Sequence, residues 1–243
     1  MPVLVTVGAA LLAGLARGFS GFGAALIFIP LAGAAIGPRA AAPVLLVVDA
    51  VLTLAMVPNA WRLAERREVA VLLLGALVGV PVGAALLATS DPVTVRWAVV
   101  ALAFVLLAFL MSGARLARSV PSSVAVGVGA SAGFFSGLAQ MGGPPVVAYW
   151  LGRALPGATV RANLIVYFAL SSVLSFVSYV GAGLFTGEVV VLTVATTPAY
   201  AAGLFLGARL FHRASEATFR RLCYALIAAA AILSMPVLDG ILR

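Results

Sequence analysis

Apolar residues fill nearly the whole chain in long blocks, and short stretches with arginine, glutamate or proline separate the blocks. Most blocks hold about 20 residues, enough for one helix to cross a hydrocarbon core of about 30 Å. The pattern predicts an all-α, polytopic helical membrane protein rather than a soluble domain. The eight predicted segments are 3–35, 40–58, 69–88, 92–112, 122–151, 160–182, 187–208 and 217–238.

Two of these segments are longer than the rest, and glycines interrupt both of them. Residues 18–30 read GFSGFGAALIFIP, and residues 133–147 read GFFSGLAQMGGPPVV. With an offset of about 120 residues, landmarks of the two halves stay in register, which indicates an internal duplication. The sequence therefore predicts a first repeat over 1–118 and a second over 119–243. The matched landmarks are Gly18, Gly21 and Gly23 with Gly133, Gly137 and Gly142, and Arg39, Glu68, Gly83 and Arg96 with Arg161, Glu188, Gly203 and Arg220.

The distribution of arginines favours one topology. If all eight segments crossed the membrane, loop arginines would divide almost equally between the two faces. If 3–35 and 122–151 are re-entrant, eleven loop arginines share one face, and the other face keeps Arg39, Arg96 and Arg243. This distribution obeys the positive-inside rule and places both termini on the non-cytoplasmic side. Each repeat then has one re-entrant broken segment plus three crossing helices, so the two repeats are inverted.

Composition narrows the class of protein. The chain is 64% hydrophobic and 9% charged, whereas soluble domains average about 45–50% and 25%. The 15 lysine and arginine residues are all arginines, so a Walker A loop and a Schiff-base lysine are both excluded. His212 and Cys223 are too few for a His/Cys metal site or an intrachain disulfide. We expect no enzyme activity, no metal, no cofactor and no nucleic-acid partner.

The two glycine-rich breaks are the candidate site. Backbone that leaves the helix at membrane depth must be satisfied by protein, water or ligand. Two half-helices of about 14 residues each would bring the breaks near the midplane, about 21 Å deep. The second half-helices should begin near Gly23 and at Gly142–Gly143, with Pro144 and Pro145 in a first turn that suits proline. Two such amino ends facing each other would make an anion site; the alternative is that the glycines only allow close helix packing.

Side chains near the breaks complete the predicted substrate site. Arg17 either balances the charge of a bound anion or caps the first half-helix, and it could also pair with Asp49. Ser20, Ser136 and Gln140 are uncharged donors that could replace an anion's hydration shell, or make ordinary interhelical hydrogen bonds. The predicted substrate-binding residues are Arg17, Ser20, Gly21, Gly23, Ser136, Gln140, Gly142, Gly143 and Pro144.

A second group of residues is predicted to act in coupling or gating. Asp49 lies mid-way along its segment, where it either pairs structurally or carries a proton, and its counterpart in the other half is Ser171. Arg39 and Arg161 open equivalent segments and either steer anions or snorkel to the interface. Asn163 and Tyr149 are weaker candidates of the same kind, as is Tyr167.

The two broken motifs resemble those of the sulfite exporter TauE/SafE family, a group of small bacterial membrane transporters. The resemblance implies transport of sulfite, a sulfonate such as sulfoacetate, or thiosulfate, and it implies Gly21, Gly23, Gly142, Gly143 and Pro144 as site residues. Ala24 and Ala25 depart from the family's fuller glycine run. An anion channel and a structural subunit of a larger complex remain alternatives. We expect the bacterial inner membrane as location, and as partners a small anionic substrate, the lipid bilayer and, as one option, a second copy in a homodimer.

Overall fold

The chain folds into helices throughout the part that the structure describes. The computed structural model describes residues 2–20, 23–113, 121–153, 155–211 and 216–238. Two short 3₁₀ turns, Leu54–Met56 and Pro236–Leu238, add to eleven α-helices. The helices are α1 Pro2–Ser20, α2 Ala24–Ile36, α3 Pro38–Thr53, α4 Val57–Leu63, α5 Arg66–Thr89, α6 Pro92–Met111, α7 Ser122–Ala139, α8 Gly143–Gly152, α9 Gly157–Gly181, α10 Gly187–Phe211 and α11 Glu216–Leu233.

The helices confirm the predicted all-α membrane architecture. Among the described residues, seven helical stretches are long and apolar enough to cross a membrane. Each of the eight predicted segments corresponds to one helix or to one pair of helices. The sequence 40–58, expected as a single helix, bends at the turn Leu54–Met56 and continues as α4. The protein is therefore a multi-pass membrane protein.

Both long segments are broken where the glycines predicted. α2 begins at Ala24, directly after Gly23, and α8 begins at Gly143, directly after Gly142. The two parts of each segment are unequal, contrary to the expected 14 residues each. The first parts, α1 and α7, have 19 and 18 residues, whereas α2 and α8 have 13 and 10. Only the second part of each pair is too short for a full crossing.

One compact unit consists of Met1–Val48, Thr89–Met111 and Leu184–Arg243. In it α1 packs along α10 and against α2, and α11 packs against α2 and α6. The α1–α10 contact is backbone to backbone, because a Cβ at Gly14 or Gly18 would collide with main-chain oxygens of α10. Gly203 and Gly207 of α10 approach α1 in the same way. Glycines four residues apart let membrane helices pack this closely.

The second compact unit consists of Asp49–Ala88 and Ser112–Gly183. Here α5 and α7 pack through glycines on both sides, and a Cβ at any of the six would collide with the main chain of the facing helix. α4 and α8 pack against α9 around a core that contains Tyr149, Trp150 and Tyr167. The six glycines are Gly75, Gly79 and Gly83 of α5, and Gly129, Gly133 and Gly137 of α7.

Each compact unit takes helices from both halves of the sequence. The broken segment of the first half, α1 and α2, shares a unit with α10, which belongs to the second half. The broken segment of the second half, α7 and α8, shares a unit with α5, which belongs to the first half. The exchange is not equal in the two directions, because the first unit also contains α11 of the second half and keeps α6 of the first half.

Candidate functional site

The break between α7 and α8 is a tight turn held by the backbone. Gln140 follows α7 in the left-handed region, with φ 55°. The N–H of Gln140 donates to the oxygen of Ser136 at 2.8 Å, and the N–H of Met141 donates to that of Phe135 at 3.1 Å. Together these bonds satisfy the carbonyls of Phe135 and Ser136 at the end of α7. Glycine usually occupies this left-handed position because it lacks a Cβ. The presence of glutamine there indicates that its side chain makes contacts that offset the backbone strain.

That reason is a side-chain network around the end of α7. Gln140 Nε2 donates to the oxygen of Ser136 at 3.0 Å and contacts the hydroxyl of Tyr179 at 3.1 Å. The Tyr179 hydroxyl donates to the backbone oxygen of Gly137 at 2.8 Å and lies 3.3 Å from the backbone oxygen of Ser136. Tyr179 is fully buried. The network fixes the carboxyl end of α7 and the start of the turn.

The amino end of α8 has no side-chain cap. Gly142 precedes the helix, and a Cβ there would collide with Ser136 Oγ and the oxygen of Ala132. Only glycine therefore allows the turn to lie against α7. Pro144 and Pro145 lack N–H groups, so among the first four positions of the helix end only Gly142 and Gly143 have an N–H, and neither N–H has an intrahelical acceptor. The structure brings the predicted residues Ser136, Gln140, Gly142, Gly143 and Pro144 together at this one turn.

The break between α1 and α2 is built differently. Gly23 has φ 92°, a conformation that other residues adopt at a cost, and α2 has no side-chain cap. α2 is buried over Ala24–Pro30, as a short helix must be if protein rather than lipid surrounds it. Arg17 lies half-buried in the last turn of α1, where its charge opposes the negative helix end. Gly21 and the side chain of Ser20 lie outside the described residues.

The coupling candidates Arg39 and Asp49 occupy the two ends of α3. Arg39 Nη2 donates to the backbone oxygen of Ser90 at 2.8 Å, so it holds the short connection between α5 and α6. Asp49 is half-buried one turn before the end of α3. Thr53 donates its hydroxyl to the backbone oxygen of Asp49 at 2.7 Å, just before the bend into the 3₁₀ turn.

Arg161 and Asn163 lie on different faces of α9. Arg161 is exposed and lines a pocket of about 610 Å³ between α4 and α9, together with Asn59 and apolar side chains. Asn163 is fully buried, and its Oδ1 accepts a hydrogen bond from the N–H of Glu65 at 2.7 Å. Arg161 and Asn163, which the sequence analysis groups together, therefore lie on different surfaces of α9.

Tyr149 belongs to a charged cluster at the carboxyl end of α8. Arg153 forms a salt bridge with Glu68, and the Tyr149 hydroxyl donates to the same carboxylate at 3.3 Å. The Arg153 guanidinium lies over the Tyr149 ring, 5.5 Å from its centroid. These contacts tie the end of α8 to the first turn of α5. Tyr149 thus has a structural role in holding Glu68, which its prediction as a gating residue did not include.

The sequence reasoning missed a buried row of polar residues on α9. Asn163, Tyr167, Ser171, Ser175 and Tyr179 stand at every fourth position, and each is at most 3% exposed. Residues four apart share one face of a helix, so the spacing was a readable signal. Trp150 of α8 joins the row, because its ring lies edge-on to that of Tyr167 with centroids 5.9 Å apart.

Comparison with known families identifies the chain. The family model for the sulfite exporter TauE/SafE matches residues 6–234, nearly the whole length. The protein belongs to the TauE/SafE family. Membership in this family implies membrane transport of sulfur-containing anions such as sulfite. Neither the curated proteins nor the solved structures contain a match to this TauE/SafE chain.

Proposed function

We propose that this TauE/SafE protein transports sulfite, a sulfonate such as sulfoacetate, or thiosulfate, and that each of its two helix breaks, before α2 and before α8, offers the anion a helix amino end. One observation carries the proposal. Both short helices follow a glycine and have no side-chain cap, after a break in an otherwise apolar membrane segment. Helix amino ends carry unpaired N–H groups and a partial positive charge, which suit an anion.

The two helix ends differ in the donors that each could offer an anion. The first turn of α2 has an N–H on every residue, although that of Leu26 already donates to Gly23 at 3.1 Å. α8 loses two donors to Pro144 and Pro145. Gln140 and Ser136 stand beside the α8 end and can replace them with side-chain donors. Arg17, at the end of α1, would supply the positive charge that a desolvated anion needs.

Export is the energetically simpler direction. In a cell whose interior is negative, each anionic charge that leaves gains about 2.3 kcal/mol per 100 mV. A sulfite exporter in the bacterial inner membrane therefore needs no coupled ion. Uptake would need one, and Asp49 is the carboxylate that would take the proton. The arginine distribution supports a topology with both termini on the non-cytoplasmic side.

A thermal-shift panel on the purified protein tests the proposal. It would compare sodium sulfite, sulfate, thiosulfate, sulfoacetate, taurine and chloride at equal ionic strength. An anion at 100 times its Kd should stabilise the protein by about 2.7 kcal/mol. We expect one sulfur oxyanion to raise the Tm, and Arg17→Ala to abolish that rise.

Arg62→Ala is the matched control, because Arg62 is an exposed arginine at the end of α4. It should leave the anion response unchanged. If Arg17→Ala lowers the Tm of the anion-free protein and keeps the response, Arg17 only caps α1. If no anion raises the Tm of the wild type, the proposed function is wrong.

A further inference from the structure

A single ridge of α9 carries a row of buried polar groups through an apolar helix. Asn163, Tyr167, Ser171, Ser175 and Tyr179 follow one another at intervals of four residues, and none is more than 3% exposed. Sixteen residues of α-helix rise about 24 Å, most of a hydrocarbon core of about 30 Å. We call these five residues, with Trp150 beside them, the α9 row.

Half of the α9 row lacks hydrogen-bond partners in the part of the protein that the structure describes. Asn163 Nδ2, Ser175 Oγ and Trp150 Nε1 have no partner, whereas the hydroxyls of Tyr167 and Ser171 have only each other. Buried polar groups are nearly always paired, because leaving one without a partner is costly. Three such atoms, beside a hydroxyl pair with no further partner, therefore indicate that something outside the protein chain completes their hydrogen bonds.

Other hydroxyls in the same chain show that an unpaired hydroxyl is not usual for a membrane helix. The hydroxyls of Thr53, Thr193, Thr196 and Thr197 each donate to the backbone oxygen four residues earlier, at 2.7 Å. This back-bonding is the usual way for a helical hydroxyl to be satisfied in an apolar setting. Ser171 and Ser175 have the same helical surroundings but do not use it. Their hydroxyls remain available to a ligand.

The unpaired groups are donors. Asn163 Oδ1 already accepts the N–H of Glu65 at 2.7 Å, so the free group of that amide is its NH₂. The indole N–H of Trp150 can only donate, and the three hydroxyls can rotate to donate. A cation could not use the Asn163 and Trp150 groups. An anion, which is an acceptor only, can use the Asn163, Trp150 and Ser175 donors and the one hydroxyl proton that the Tyr167–Ser171 pair leaves free.

The row also has defined ends. Tyr179 bonds to Gly137 and Gln140, at the turn between α7 and α8. Asn163, at the other end, contacts the backbone of Glu65 between α4 and α5. The unpaired donors thus lie between the proposed binding turn and a loop at one end of this compact unit.

We propose that the α9 row is an oxyanion subsite, through which the transported sulfur anion passes with its oxygens hydrogen-bonded to Trp150, Asn163, Tyr167, Ser171 and Ser175. The proposal rests on the function proposed above and extends it from the α8 turn along α9. Uncharged donors replace the anion's hydration shell without a fixed positive charge. These donors therefore bind the anion weakly enough at each position that it can move to the next one.

Conservative variants test the row on the full-length protein. Trp150→Phe and Tyr167→Phe remove one donor each and keep an aromatic ring in place. The Kd for sodium sulfite, sodium thiosulfate and sulfoacetate would be measured by titration calorimetry, beside the Tm without anion. We expect either variant to weaken binding at least about tenfold, since a hydrogen bond to a charged group is lost. The Tm without anion should stay the same or rise in Trp150→Phe, since an unpaired group disappears.

Thr196→Val is the matched control, because it removes a buried hydroxyl that is paired with its own helix. It should leave the Kd unchanged. A lower Tm with an unchanged Kd in the Phe variants would mean that the donors hold structural water, and would overturn the proposal. An unchanged Kd with an unchanged Tm would also overturn it, while the proposed function would stand. If the wild type binds none of the three anions, the proposed function fails and the inference fails with it.

Discussion

The hydroxyl of Tyr179 donates to the backbone oxygen of Gly137 at 2.8 Å and so joins the end of α9 to the last turn of α7. The same hydroxyl meets the side chain of Gln140 at 3.1 Å. The bond lies directly before the break, where carbonyls of α7 have no intrahelical partner. It therefore holds the turn in which the proposed anion site is built.

Tyr179→Phe should destabilise the protein. The change removes the buried hydroxyl that donates to the Gly137 oxygen and leaves Gln140 Nε2 with the Ser136 oxygen alone, which costs about 1–3 kcal/mol of unfolding free energy. Unfolding in detergent by added denaturant measures the loss. Tyr224→Phe is the control, because the Tyr224 hydroxyl reaches the oxygen of Leu110 only at 3.3 Å and is part-buried. Equal losses in the two variants would contradict the special position of Tyr179.

Gly137→Ala should separate α5 from α7. Its Cβ would collide with the backbone oxygen of Val80, and overpacking of this kind costs about 1–3 kcal/mol. Gly127→Ala, on the same helix, has open space around its Cβ and should stabilise by up to about 1 kcal/mol through helix propensity. Tm measurements on the two variants and the wild type test both expectations. A Gly137→Ala protein as stable as the wild type would refute the close packing.

Gly23→Ala should reduce both stability and anion binding. The φ of 92° at Gly23 is unfavourable for alanine by about 1–2 kcal/mol, so α2 would begin differently. Gly37→Ala is the control for strain alone, because Gly37 has φ 82°, open space around its Cβ and a position at the other end of α2. Both variants should lower the Tm, and only Gly23→Ala should weaken the Tm rise caused by anion. A normal anion response in Gly23→Ala would remove the α2 end from the site.

Arg39→Ala and Arg161→Ala should behave differently, although the sequence makes them a pair. Arg39 holds the Ser90 oxygen at 2.8 Å, so its loss should cost about 1–3 kcal/mol of stability. Arg161 is exposed in its pocket, so its loss should leave the Tm unchanged. If Arg161 attracts anions, the variant should slow transport most at low ionic strength. Initial transport rates of the variant and the wild type at two salt concentrations test this. Equal rates at both concentrations would mean that Arg161 does not attract anions.

The helical order and both break positions could be predicted from apolar block length and glycine spacing. Those signals are local: a block of about 20 apolar residues can satisfy its backbone in a membrane only as a helix. The positions of Gly23 and Gly142 before α2 and α8 follow from the same reasoning. The bend after Thr53 also had a local signal, because Pro58 lies in the first turn of α4, where proline commonly begins a helix.

Helix partners could not be predicted in the same way, although one signal was present. Gly75, Gly79 and Gly83 are spaced by four, as are Gly129, Gly133 and Gly137, which suggests close packing. Nothing in the spacing says that these two sets pack against each other. The polar spacing on α9 was equally visible, but whether its hydroxyls bond their own helix depends on three-dimensional detail.

Counterflow in proteoliposomes tests the central claim most directly. Vesicles that contain the purified protein would be loaded with unlabelled sulfite and diluted into a trace of radiolabelled sulfite. A carrier that binds the anion and alternates access predicts transient accumulation of label above equilibrium, saturation with outside sulfite, and loss of both in Arg17→Ala. Label that only equilibrates, without saturation or overshoot, would indicate a channel, and label that does not enter at all would contradict transport of sulfite.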